Sequence, residues 1–203
     1  MIRRKLFIML KEPGAGRVKT RLGADIGMTS AAWWFRHQSR DLIRRLGRDP
    51  RWQTVLAVSP DQEGLQSRIW PADLPRWPQG RGNLGDRMGT ILRTASKGPV
   101  VIIGADIPGI TPTLIEKAFR ALGDHDVVFG PAIDGGYWLV GMKRGGRSVP
   151  VGLFNGVRWS TEHALADTVA SLRDRQIKMI DMLKDVDVAT DLEVIKTDGP
   201  EFS

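Results

Sequence analysis

The run Val100–Pro108, VVIIGADIP, constrains the fold more than any other stretch of the chain. Four β-branched apolar residues in succession predict a strand buried on both faces of a parallel sheet, since no face is left for solvent. Gly104, Asp106 and Pro108 then end the strand. The carboxyl end of such a strand is where open α/β sheets bind ligands. Asp106 is placed there to coordinate a cation, magnesium needing only one or two carboxylates besides substrate phosphates. The alternative is that Asp106 caps the helix opened by Thr111-Pro112.

The elements around this strand alternate. Lys5–Leu10 and Trp52–Val58 read as strands, with a helix between them from a Thr29 or Ser30 cap to about Leu46. Residues 59–80 carry Pro60, Pro71, Pro75 and Pro78 and read as loop with at most one helical turn. Leu84–Ser96 and Thr111–Leu122 read as helices, the second with Pro112 in its first turn. Asp126–Gly130 and Gly136–Met142 are strands too close together for a crossover helix, so they predict an antiparallel or bent pair. Lys143–Pro150 is the most flexible-looking segment, Ser160–Arg175 a capped helix, Ile177–Met182 a last strand and Thr190–Ile195 a short closing helix. Strands alternating with helices predict a three-layer α/β/α sandwich on a mostly parallel, mixed sheet. At 203 residues this is one domain, able to bury roughly 70% of its unfolded surface.

Composition removes several function classes. No run approaches the ~18 apolar residues of a membrane span. The start, MIRRKLFIML, resembles a signal peptide, but Lys11-Glu12 follows the short apolar run Leu6–Leu10 where a cleavage site would stand. It reads as a core strand of a cytoplasmic protein. With no cysteine there is no disulfide, thiolate metal site or thiol nucleophile. Residues 1–48 hold 12 Lys/Arg against 3 Asp/Glu, whereas the remainder holds 18 against 20. A basic third beside a mildly acidic remainder suits an anionic small molecule held partly through a cation. Nucleic acid is the rival for so basic a chain, but there is one Tyr and no helix-turn-helix, zinc-finger or RNP pattern.

Five motifs carry the chemistry. The loop Lys11–Arg21, KEPGAGRVKTR, follows the first strand. Gly14 and Gly16 let backbone amides approach a ligand, and Lys11, Arg17, Lys19 and Arg21 supply cations for a di- or triphosphate. It is neither a P-loop nor a dinucleotide fingerprint. The second motif is Asp106. The third, Asp134-Gly135-Gly136-Tyr137, reads equally as a hairpin turn and as a backbone surface for an acceptor. The fourth, DVDVATD at 185–191, places Asp185 and Asp187 on one side of an extended segment, with Thr190 and Asp191 free to open the last helix. One of the pair can supply a second ligand to the ion held by Asp106, against the plainer reading of a solvated capping turn. The fifth, QGRGNLGDRM at 79–88, brings Gly82 and Asn83 into a loop able to wrap a base or phosphate, with Arg81 and Arg87 near. The histidines His37, His125 and His163 have no ligand spacing.

The order of KEPGAGRVKTRL, QGRGNLGDRM, GADIPGITP, GPAIDGGYWLVGM, LFNGVRWST and DVDVATDL resembles the CofC-like and MobA-like transferases of undefined activity, from about Lys5 to Glu193. The resemblance implies a Rossmann-like, glycosyltransferase-A-type fold of the nucleotide-diphospho-sugar transferase superfamily. It assigns phosphate binding to Gly14, Gly16, Arg17 and Lys19, and Mg²⁺ or Mn²⁺ to Asp106 with help from Asp187. Glycosyltransferases of this fold usually carry Asp-x-Asp, whereas residues 104–108 hold a single Asp. That favours nucleotidyl transfer from an NTP to a phosphorylated acceptor. Glycosyl transfer from an NDP-sugar, and a nucleotide-binding module without turnover, are the alternatives.

Overall fold

The structure, a computed structural model, describes residues 3–144 and 148–192. Its frame is a seven-stranded sheet in the order β3-β2-β1-β4-β6-β5-β7. The strands are β1 (Lys5–Lys11), β2 (Gln53–Ser59), β3 (Arg76–Pro78), β4 (Val100–Gly104), β5 (Val127–Pro131), β6 (Tyr137–Met142) and β7 (Ile177–Met179). Only β6 runs against its neighbours, pairing antiparallel with both β4 and β5. The close pair expected at 126–142 is therefore an antiparallel hairpin set into a parallel sheet.

Alternation along β1 divides the core in two. Leu6, Ile8 and Leu10 point to one face and Phe7 to the other, as the two-residue period of a strand requires. The first face packs on α2 (Met28–Leu46) through Phe35, Leu42, Ile43 and Leu46, and on α5 (Pro112–Asp124) through Ile115, Ala118, Phe119 and Leu122. The second packs on α4 (Leu84–Thr94) through Met88, Ile91 and Leu92, and receives Ala164 of α6 (Ala164–Ala170). Helices on both faces make the three-layer α/β/α sandwich that the alternating pattern predicts.

From β1 the chain moves outward to β2 on one side, then returns past β1 to enter β4 on the other. The loops leaving β1 and β4 thus part at their carboxyl ends and open a crevice at the topological switch point. Among the described residues no helix is long and apolar enough to cross a membrane.

Several expected boundaries differ. The first helical region starts earlier, with α1 (Thr20–Ile26), and breaks at Gly27, whose φ of 91° only glycine adopts readily. Gly27 is the N-cap of α2, so neither Thr29 nor Ser30 caps it. The Pro-rich stretch carries a short helix, α3 (Asp61–Gln66), and β3 at the sheet edge, where Pro78 removes no ladder donor that matters. α6 ends at Ala170, not Arg175, and starts only at Ala164, not Ser160, where Asp167 in its first turn accepts from the backbone N–H of Arg158 at 3.0 Å and from its guanidinium at 2.8 and 2.9 Å. These bonds fold residues 158–163 back as a loop. Within the segment 143–150, residues 145–147 lie outside those described, as do residues 193–195 of the expected closing helix.

Candidate functional site

The crevice is a cleft of about 730 Å³. Its floor is the carboxyl ends of β1 and β4, and its walls are the loop after β1, the start of α4, the β5–β6 turn, residues 159–161 and the segment after β7. Lys11, Arg17, Lys19, Arg21, Gly82, Asp106, Asp134, Gly136, Tyr137, Asp185 and Asp187 all line it. Residues far apart in sequence thus meet on one surface.

Lys19 is the centre of this surface. It is the N-cap of α1, with φ 46° and ψ 49°, a left-handed backbone that costs a non-glycine residue roughly 1–2 kcal/mol. That conformation turns its side chain inward, where it is 8% exposed. Its ammonium lies 2.8 Å from Asp106 Oδ2 and 2.8 Å from Asp187 Oδ1. Burial draws the Lys19 pKa down, but Asp106 and Asp187 together outweigh it and the net direction is up. Asp106 caps nothing, because Thr111 Oγ1 accepts from Leu114 N–H and caps α5.

The carboxylates arrive by separate routes. Asp106 follows β4 directly. Asp187 is delivered by the strand-like segment after β7: Leu183 N–H donates to Pro131 O and Ile133 N–H to Leu183 O, at 3.1 and 3.2 Å. Trp138 Nε1–H holds the same segment through Asp181 O at 3.0 Å. Val186 is fully buried against Leu22 and Ala31 of α1 and α2, which turns its neighbours Asp185 and Asp187 away from that core. Asp191 Oδ2 accepts from Asp187 and Val188 N–H, reaching back as an N3 residue does in a capping box. Burial raises the Asp185 pKa, and the nearby Asp187 and Asp134 charges raise it further, against Lys19.

The phosphate side is less uniform than the motif suggests. Gly14 accepts from Arg17 N–H and Gly16 takes φ 74°, so both shape the turn, but neither lines the cleft. Arg17 is engaged by Glu63 at 2.7 Å and Arg21 by Asp187 at 3.4 Å, both cations being well exposed. Asn83 is occupied as the N-cap of α4, in a capping box with Asp86, and stands off the cleft wall. Gly135, at φ 84°, is packed against the Glu162 backbone and contributes fit, not lining. Asp134 Oδ1 accepts from Gly136 N–H at 2.8 Å, so the turn role and the cleft-lining position coexist.

Two residues that the motifs did not single out matter here. Gln79, only 3% exposed, donates from Nε2 to Leu10 O at 2.9 Å and to Ala57 O at 2.7 Å, joining the ends of β1 and β2. Its Oε1 accepts from Arg87 Nη1 at 3.3 Å, while Ser59 Oγ and Gly82 O accept from the same guanidinium at 3.1 Å. Arg87 is thus aimed by neutral acceptors. On the opposite wall Trp159 meets Tyr137 edge-on, with ring centroids 6.3 Å apart. Burial pushes the Tyr137 hydroxyl pKa well up, against a hydrogen bond with Thr168, so it keeps its proton at neutral pH. No spacing rule in the sequence marks Gln79 or Trp159; only the fold brings them to the cleft.

Oxygen-only donors suit a hard cation such as Mg²⁺ or Mn²⁺. Asp106 and Asp187 converge on one point that already accepts a positive charge, so the residues present fit such an ion. Among the described residues no group of three or more His, Cys, Asp or Glu side chains forms a metal cluster. Substrate oxygens and water would complete the shell.

This fold, with a cleft at the switch point, is that of the nucleotide-diphospho-sugar transferases. A crystal structure from Desulfovibrio desulfuricans G20, provisionally named as such a transferase, is 29% identical, covers 100% of this chain and 90% of its own, and has a TM-score of 0.87. CMP:2-keto-3-deoxy-manno-octonic acid synthetase complexed with CTP is 12% identical over 96% of this chain and 97% of its own, with a TM-score of 0.58. Rv0371c from Mycobacterium tuberculosis H37Rv, in complex with manganese, is 15% identical over 96% and 97%, with a TM-score of 0.52. More particularly, the chain belongs to the DUF2064 family, described as an uncharacterized protein conserved in bacteria, whose family model matches residues 42–161. That match includes Asp106 and Asp134 but neither Lys19 nor Asp187. No curated protein matches the chain.

Proposed function

We propose that the protein is a divalent-metal-dependent nucleotidyltransferase of the cytoplasm, moving a nucleotidyl group from an NTP to a phosphorylated acceptor. The observation that carries this reading is the convergence of Asp106 and Asp187 on one cation, Lys19, beside a cationic loop at the switch-point crevice. The CTP-bound and manganese-bound neighbours of the same fold lend it support.

In this reading an acceptor phosphate oxygen attacks the NTP α-phosphorus and pyrophosphate leaves. The chain contributes position and charge, the main levers in phosphoryl-group chemistry. Lys11, Arg17, Lys19 and Arg21 bind the β- and γ-phosphates and stabilise the leaving pyrophosphate. Asp106 and Asp187 hold the metal, with Asp185 behind them. When bound, a dication there supplies neutralisation of charge on the phosphates. Gly82 and Arg87 face the nucleoside, while Asp134, Gly136, Tyr137 and Trp159 form the acceptor side. The phenol of Tyr137 donates hydrogen bonds and does not act as a base.

A thermal-shift screen of the four NTPs and common NDP-sugars, each with Mg²⁺, Mn²⁺ or EDTA, tests the reading. At a hundredfold excess over Kd, native-state binding adds about 2.7 kcal/mol, or roughly 5–11 °C for a chain of this size. A metal-dependent shift with one NTP supports nucleotidyl transfer. A shift with an NDP-sugar alone supports glycosyl transfer, the reading favoured by the name given to the Desulfovibrio structure.

A further inference from the structure

We propose that Lys19 is an exchangeable counter-ion: its ammonium holds Asp106 and Asp187 together in the metal-free protein and moves into the cleft when a divalent cation takes its place. This deepens the assignment of those two carboxylates to a metal and rests on it.

Lys19 is 8% exposed while both carboxylates are 35% exposed, so the ammonium sits deeper than the groups it bridges. Asp106 comes from the loop after β4 and Asp187 from the segment after β7, with no backbone pairing between them. Their charges would repel across the crevice without a cation between them. Among the described residues Lys19 is the one cation paired with Asp106, and Asp187 has Arg21 besides, at 3.4 Å. A metal ion ligated by both carboxylates needs the space and the charge balance that the ammonium now supplies. The two cations repel one another at such distances, which favours departure of the ammonium.

The displaced side chain has a destination. Its backbone lies between Arg17 of the loop and Arg21 in the first turn of α1, on the wall where a triphosphate would place its negative charge. Metal entry therefore adds a fourth cation to Lys11, Arg17 and Arg21 in the phosphate cradle, and phosphate binding removes the competitor from the metal pair. Each ligand favours the other, and the coupling is reciprocal by linkage. If Lys19 is instead a fixed structural bridge, its removal loosens the pair and gains nothing for the metal.

Mn²⁺ binding to the full chain without nucleotide, read from the electron paramagnetic resonance signal of free Mn²⁺, separates these cases. The Lys19→Met protein should bind Mn²⁺ about tenfold or more tightly than wild type, since a partly buried competing charge is gone. Equal or weaker binding overturns the proposal. A second measurement uses the unaltered chain: acetylation of Lys19 by acetic anhydride, read by peptide mass spectrometry, should rise when Mn²⁺ is added. Unchanged or reduced labelling overturns it. Asp106→Asn distinguishes the underlying assignment, because Mn²⁺ affinity equal to wild type in that variant removes the metal pair itself, and the exchange with it.

Discussion

Gln79→Leu tests how the cleft wall is built. The substitution keeps side-chain volume but removes the amide, whose Nε2 serves the carbonyls of Leu10 and Ala57 at 2.9 and 2.7 Å. Those carbonyls lie near the carboxyl ends of β1 and β2, beside Lys11 and the loop that leads to Lys19, and Gln79 is 3% exposed, so water does not readily replace the lost donors. Both carbonyls keep their places in the β1–β2 ladder, so the loss is of two amide hydrogen bonds at about 0.5–1.5 kcal/mol each, about 1–3 kcal/mol for the pair. For a chain of this length that is roughly 2–12 °C in Tm. Arg87 also loses Oε1 of Gln79 as one of its three acceptors, so nucleotide affinity should fall together with stability. Urea unfolding and a melting curve measure the first effect, and NTP titration the second. A variant within about 0.5 kcal/mol of wild type, the range of an ordinary surface substitution, refutes the bridging role of Gln79.

Asp106→Asn should abolish the metal-dependent thermal shift with NTP while leaving the circular dichroism spectrum unchanged; a retained shift removes Asp106 from the metal pair. Thr111→Ala deletes the acceptor for Leu114 N–H at the start of α5 and should cost about 1 kcal/mol in urea unfolding, with ligand binding unchanged. Asp49, Asp73, Asp167 and Asp181 are held below the ordinary carboxylate range by hydrogen bonds from Arg51, Arg48, Arg158 and Lys117 respectively. Their folded-state pKa values lie below the unfolded 3.8, so this stability is whole above that value and lost as pH falls through the folded ones. Tm should therefore drop below pH 4, and 1 M salt should shrink the drop because the pairs are solvent-exposed; a flat profile to pH 3 contradicts it.

The parts of the fold legible in the sequence were those with one dominant physical cause. VVIIG can only be a buried strand, and the short spacing between 130 and 136 excludes a crossover, so the sheet and its antiparallel member followed. Asp106 and the DVD segment read as two ligands of one ion or as a cap and a solvated turn, and the structure brings Asp106 and Asp187 to one cation, Lys19. What escaped depends on tertiary context. α1 has no side-chain cap and only seven residues, and it exists because Leu22 buries against Val186 and Ala31. β3 is three residues that follow Pro75 and end on Pro78, a pattern that reads as loop until a sheet edge accepts it. The position of Lys19 between two carboxylates required knowing that residue 187 returns beside residue 19. Gln79 opens a glycine-rich motif, yet its use lies in two backbone carbonyls that no sequence pattern records.

A crystal of the protein soaked with Mn²⁺ and the NTP found by thermal shift, with anomalous data collected near the manganese edge, tests the central claim most directly. The account predicts one anomalous peak bonded to Asp106 and Asp187, with the Lys19 ammonium moved onto a phosphate oxygen. A nucleotide bound elsewhere, or manganese away from those carboxylates with Lys19 still between them, would contradict it.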